Sequence, residues 1–329
     1  MIAEVEQVRQ EIFESVERTF HLQIYSSKQI NRGWRNLKWK IETNKGILFV
    51  KQYHLKRYPK EKLVHVRKAL QLQAILAEQG VPCPKPYQDQ DSYLIYTDSC
   101  IPYVLTDYCE GSLILPGEAN LQQMDHLGQM TGKMHKILSQ FPQDPIDWQP
   151  ILTVMVNQWK NNWKRARDEK RSENVLTAID RQQTILDRME MDVFQDCRIG
   201  WTHWDLWVDN ILFIHDSVAA ILDFDRMKVV YPELDVARAI LSCSLKENRL
   251  NLDLTSAFLQ GYNQFVSFTS KELVRSFRLI WCQESAKWVR PEMEERPGTA
   301  KRFAEEVLWI TKYWDELEEI LQDVFDKRN

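Results

Sequence analysis

Apolar positions recur at helical spacing at the start of the chain: Ile2, Val5, Val8, Ile12, Phe13 and Val16. That period predicts an amphipathic helix over 1–20. From 22 to 54 the pattern changes to one rich in β-branched and aromatic residues. Two alternating runs, LKWKIET and ILFVKQY, flank the turn signal Asn44-Lys45-Gly46, and with the run before them they predict three antiparallel strands. A helical stretch over roughly 60–79 stops at Gly80, with Pro82, Pro84 and Pro86 just beyond. SYLIYT and IPYVLTDYC add two strands, which completes a five-stranded sheet with one helix. Gly111 marks a break.

From about 119 the pattern is mainly helical, with helices expected near 119–140, 151–169 and 173–191. The stretch GWTHWDLWVDNILF, 200–213, interrupts them, and ILFIHDSVAAILDFD reads as two short strands around Asp216-Ser217. After YPELD helices return to the end. The expected class is α+β: a small antiparallel β lobe with one helix over 1–107, then a larger, mainly helical lobe over 108–329.

Composition narrows the partners. At 329 residues, with 44% hydrophobic and 27% charged positions, the chain has ample material for a large core. Its net charge of −4 and its lack of a dominant basic stripe argue against nucleic acid. The six cysteines are scattered without zinc spacing, which fits reduced thiols and a cytoplasmic location. The N-terminus is charged and amphipathic, unlike a signal peptide, and no apolar run is long enough to span a membrane. No feature of the sequence specifies an oligomeric state.

The chemistry lies in an ordered set. Lys51 stands on the third strand. His203-x-Asp205-x-x-x-x-Asn210 follows in a loop that ends in the apolar run NILFI, and Asp223 closes the next strand in AILDFD. These are the parts for phosphoryl transfer from a nucleotide. A strand lysine neutralises phosphate charge. A loop aspartate accepts or orients the proton of an attacking hydroxyl. An asparagine carbonyl and a second aspartate hold Mg²⁺. The apolar neighbours Leu206, Ile211, Leu212 and Phe213 can anchor that loop in a core.

The segment HWDLWVDNILF, with AILDFDRMKVVYPELDVARAIL after it, resembles the aminoglycoside phosphotransferase/choline kinase-like superfamily. GILFVKQY, LAEQGVPCPKP, YVLTDYCEGSLI and LGQMTGKMHKI match further landmarks in the same order, so the likeness spans roughly residues 25 to 245. It implies a bilobal protein-kinase-like fold. It also implies roles: Asp205 as the catalytic aspartate, and Asn210 and Asp223 as Mg²⁺ ligands. Lys51 would meet nucleotide phosphate, and Asp107, Tyr108 and Cys109 would form the hinge that meets adenine. His203 would order the catalytic loop, Asp235 would brace it, and Asp225, the second acid after Asp223, would contact water or a second metal.

Three departures from the pattern stand out. Trp204 and Trp207 occupy positions where the family is smaller or different, so they either wall an acceptor pocket or simply pack. No acid lies between Val66 and Ala77, where the helix should pair with Lys51. Gln71, Gln73, Glu61 and Glu78 are the stand-ins. The loop INRGWRN has a single glycine, which leaves Gly33 and Asn36 as its nucleotide contacts. Alternation does not place Lys51, because Val50 and Lys51 must face opposite ways. His135 reads as structural. The basic run in 157–171 reads as a solvated face, and 287–302 as either a plain connection or a pocket rim.

The expected function is transfer of the γ-phosphate of Mg-ATP or GTP to a hydroxyl of a small molecule. The alternative is a pseudokinase-like binding protein or a spore-coat-type assembly protein, which the missing helix acid favours. A protein acceptor is disfavoured, because DFDRMKVVYPELD leaves little room for an activation segment.

Overall fold

The computed structural model describes residues 2–30, 36–143 and 145–326. The chain forms two compact units, Met1–Ser112 with Ala219–Met227, and Leu113–Val218 with Lys228–Asn329. The expected boundary at 107/108 compares with 112/113 in the structure, and a short segment from much later in the chain belongs with the first unit.

In the first unit α1 (Ile2–Phe20) leads into β1 (Ile24–Gln29), β2 (Lys38–Thr43) and β3 (Gly46–Gln52). Then come α2 (Lys60–Glu78), β4 (Ile95–Tyr96) and β5 (Pro102–Asp107). The strands form one antiparallel sheet in the order β1-β2-β3-β5-β4. Gly46 takes φ +107 after the two-residue turn between β2 and β3, a conformation that glycine adopts without strain.

Both faces of this sheet are covered. Ile12 and Val16 of α1 pack with Trp39, Ile41, Leu48 and Val50. Leu63, Val66 and Leu70 of α2 pack with Tyr53 and Val104. Strand side chains alternate, so Val50 belongs to the α1 face and Lys51 to the α2 face. Val50 is 0% exposed and Lys51 only 6%. The register sets Lys38 of β2 opposite Lys51.

The second unit contains α3 (Leu121–Leu138), α4 (Leu152–Asp168), α5 (Glu173–Arg188), β6 (Gly200–Thr202), β7 (Ile211–Ile214) and the start of β8 (Ser217–Ile221). After the chain returns, it holds β9 (Lys228–Val230), α6 (Glu233–Ser244), α7 (Leu252–Tyr262), α8 (Ser270–Trp288), α9 (Thr299–Lys312) and α10 (Leu317–Asp326). A capping box between Asn120 and Gln123 starts α3, satisfying N–H groups that a helix start leaves bare. Helices α3 and α7 pack backbone to backbone. A Cβ at Gly128 would overlap the Phe258 carbonyl, and one at Gly261 would overlap the Asp125 carbonyl.

β6 and β9 pair antiparallel, Gly200 to Val230 through Thr202 to Lys228. The pair is too short to show as alternation. The basic run is partly neutralised: Arg165 meets Glu169 and Glu292, and Arg171 meets Glu169 and Glu295. Ser172 adds a hydrogen bond to Glu294, so the 292–295 stretch is tied to the α4–α5 corner. Among the described residues no helix is long and apolar enough to cross a membrane.

Candidate active site

The loop after β6 is held by its own backbone. The Asp205 carbonyl accepts hydrogen bonds from the Trp207 amide and from Asn210 Nδ2, each at 2.8 Å. The Asp205 amide donates to His203 Nδ1 at 3.3 Å, so that nitrogen acts as an acceptor. A short 3₁₀ turn, Val208–Asn210, ends the loop. Leu206, Val208 and Ile211 are wholly buried and fix the loop from beneath, while Asp205 and Asn210 stay half-buried.

Asp235, in the first turn of α6, anchors the start of the loop. Its carboxylate accepts the His203 amide at 2.6 Å and the Trp204 amide at 2.9 Å. His135 Nε2 lies 3.1 Å from the same carboxylate, and its Nδ1 lies 2.8 Å from the Tyr262 hydroxyl. All three side chains are buried. The chain Tyr262–His135–Asp235 therefore ends on two loop amides that would otherwise be buried without partners. Trp204 sits at φ +65, a conformation costing on the order of 1 kcal/mol for a residue with a Cβ, and these bonds hold it there.

The two unusual tryptophans differ. Trp207 is 5% exposed and packs against Phe303 at 5.2 Å between ring centroids. Trp204 is half-buried against Trp148, with Lys228 Nζ over its ring at 5.4 Å. Beneath the loop Arg238 pairs with Glu284 and with Glu306, the latter at 2.5 Å. Burial pulls the Arg238 guanidinium down, but these two carboxylates and that of Asp205 outweigh it and hold it above its ordinary value.

In the first unit Lys51 is the centre of a charge cluster. Its Nζ lies 2.5 Å from Asp223 and is paired with Asp225 as well. Burial would lower its pKa, yet the two carboxylates reverse this and hold the ammonium above its ordinary value. Tyr53 donates to Asp225 Oδ1 at 2.8 Å, and Tyr58 to Asp225 Oδ2 at 3.3 Å. Burial, then the Asp225 carboxylate, pushes Tyr58 up to about 12 and Tyr53 well above its ordinary value. Both phenols therefore remain donors. Asp223 stands at φ +65 in the left-handed region.

These partners differ from those expected for Lys51. Gln73 donates to the Pro84 carbonyl at 2.6 Å, Glu78 pairs with Lys85 at 3.4 Å, and Gln71 and Glu61 are exposed. Asp225, for which water or a second metal was expected, meets a lysine and two tyrosines. Tyr53 was missed, although it follows Lys51 by two positions and so shares its face. Tyr58 and Tyr262 carry no such signal. Lys38 was missed too. Burial, then Lys51 opposite, lowers its pKa.

Of the residues expected at the hinge, Asp107 ends β5, and Tyr108 and Cys109 follow it. Asp107 accepts a hydrogen bond from the Tyr87 hydroxyl at 3.0 Å, and Tyr108 lies under Lys40 Nζ at 4.2 Å. Cys109 is half-buried, and its thiol is pushed up to about 11 by burial and then by Asp107. Asn36 is buried and accepts the His54 amide at 3.3 Å. Gly33 lies outside the described residues.

Each of the two residues that the resemblance assigns to Mg²⁺ carries an oxygen donor, one in each unit. Asp223 offers a carboxylate, 30% exposed. Asn210 spends its amide nitrogen on the Asp205 carbonyl, which leaves Oδ1 as the donor atom. Both are hard oxygen donors of the kind Mg²⁺ prefers.

The model of the phosphotransferase enzyme family matches residues 26–267. A homoserine kinase of Rhizobium meliloti is 28% identical over 75% of this chain and 73% of its own length. One of Rhodopseudomonas palustris is 27% identical over 74% and 71%. Among solved structures, a microcompartment-associated aminopropanol kinase superposes with a TM-score of 0.62 at 14% identity, covering 93% of this chain and 98% of its own. An aminoglycoside phosphotransferase of Alicyclobacillus acidocaldarius gives 0.60 at 13% identity, covering 92% of each chain. These share the kinase-like fold expected from the sequence. With most of its length matched by the family model, the chain belongs to the phosphotransferase enzyme family, and is a small-molecule kinase with a nucleotide as phosphate donor and a hydroxyl group as acceptor.

Proposed function

We propose that this kinase moves the γ-phosphate of Mg-ATP or Mg-GTP directly to the hydroxyl of a small molecule, with Asp205 as the catalytic aspartate. The observation that carries the reading is the loop itself. Asp235 clamps its start, the Asn210 amide clasps the Asp205 carbonyl, and the Asp205 carboxylate is left in a fixed position. A pre-positioned carboxylate can orient the acceptor hydroxyl and take its proton as the bond to phosphorus forms. His203 then braces the loop, since its Nδ1 already accepts the Asp205 amide.

Lys51 would contact the donor phosphates, Asp107 to Cys109 would meet the base, and Asn210 and Asp223 would supply oxygen ligands to Mg²⁺. A bound Mg²⁺ would screen phosphate charge. The binding-only alternative rested on a lysine without a helix acid, and the two carboxylates paired with Lys51 weigh against it. Homoserine is the first acceptor to try, because the relatives named above are homoserine kinases.

The test is calorimetric titration of ATP and GTP, with and without Mg²⁺, into the wild type and Asp223→Asn, followed by phosphate-transfer assays over homoserine and other small alcohols. Metal-dependent binding lost in the variant, with turnover on one acceptor, supports the reading. A wild type that binds neither nucleotide overturns it.

A further inference from the structure

We propose that Asp225 is the resident counter-charge that positions Lys51 for the donor phosphates, in place of the acid that α2 lacks. The inference rests on the kinase reading above and deepens it. In kinase-like sites the strand lysine works only when a carboxylate holds it in place, and that carboxylate ordinarily comes from the neighbouring helix. Here α2 has no acid from Val66 to Ala77, and its nearest polar groups are bound elsewhere or exposed. Asp225 fills the role from the turn after β8.

The geometry separates the two carboxylates on Lys51. The Asp225 side chain is 5% exposed, and each of its oxygens accepts a phenol, Tyr53 on Oδ1 and Tyr58 on Oδ2. Asp223 is 30% exposed. Asp225 is thus the fixed partner, and Asp223 the exchangeable one that can turn to a cation while Lys51 stays in place. Asp225 acts through Lys51 and is a positioning residue. Tyr53 and Tyr58 set its orientation, so the lysine's position depends on residues beside the metal-binding acid and not on a charge carried by α2.

The test measures hydrolysis of Mg-ATP, with water as acceptor, together with calorimetric nucleotide binding and the thermal midpoint. Variants are Asp225→Asn, Asp225→Glu, Tyr53→Phe, Tyr58→Phe, Lys51→Met and the Lys51→Met/Asp225→Asn double variant. Loss of a charge-assisted contact predicts a fall in kcat of about tenfold to a hundredfold for Asp225→Asn, with a much smaller change in KM for ATP. Each phenylalanine variant should fall in the same direction but less. Asp225→Glu keeps the charge but overfills a buried position, so it should melt lower than Asp225→Asn yet turn over faster. The double variant should be no slower than Lys51→Met alone. If activity instead follows the melting order, or the two substitutions multiply, Asp225 is structural only and the inference is overturned. A wild type that binds no nucleotide overturns the kinase reading as well, which a wild type with unaffected Asp225 variants would not.

Discussion

Two parts of this kinase hold their functional groups by different means. The 203–210 loop of the second unit is held by side chains that bond backbone: Asp235 takes two amides and Asn210 clasps a carbonyl. The lysine site of the first unit is held by charge against charge, with two phenols supporting one of the carboxylates. Backbone clamps fix a direction and leave little to exchange. A charge cluster keeps an ammonium poised and lets one partner be traded for phosphate or metal. Orientation is needed where a proton must be met, and exchange where a charged donor must enter and leave.

The sharpest way to test this contrast is Asp205→Asn. It leaves every backbone clamp in place, so the fold and nucleotide affinity should persist while kcat drops by roughly 10²–10⁴, measured in parallel transfer and calorimetric assays. Asp235→Ala should act first on stability, leaving two buried amides and His135 without their carboxylate. A loss of about 3–5 kcal/mol is expected in denaturant unfolding. Asp223→Asn should spare stability and reduce the gain in nucleotide affinity on adding Mg²⁺ by about tenfold, seen by calorimetry.

Smaller effects mark the edges of each system. Tyr262→Phe removes one hydrogen bond from the far end of the clamp and should cost about 1 kcal/mol. Arg165→Ala, on the exposed α4 face, should leave the unfolding midpoint unchanged within error. A shift comparable to that of Tyr262→Phe would mean that the ties between α4 and the 292–295 stretch matter to the whole unit.

Much of this was legible in the residues. Helical and alternating periods gave the order of elements, because each long element buries a continuous stripe or face. The placement of Lys51 on the third strand, and of Asp205 and Asn210 in one loop, was legible because strand order and loop spacing are local. The lysine's partner was not. Asp225 lies 174 positions from Lys51, and only the folded unit shows that it sits on the α2 face. The phenols that hold Asp225 were equally hidden, since a tyrosine in an apolar cluster looks the same whether or not its hydroxyl is in use. The β6–β9 pair escaped notice because three residues show no period. His135 could be read as structural, but its link to Tyr262 depends on how α3 and α7 cross.

That crossing has a consequence for anyone who wants to change which alcohol this enzyme accepts. Gly128 and Gly261 let α3 and α7 touch along their backbones, and the closeness brings the Tyr262 hydroxyl to His135. A methyl group added at either glycine would prise the helices apart and pull on Tyr262. The strain would pass through His135 and Asp235 to the start of the 203–210 loop. In a library built to broaden acceptor range, these two positions at a helix crossing would act as silent vetoes, and variants carrying substitutions there would be discarded as inactive because the helices had been parted.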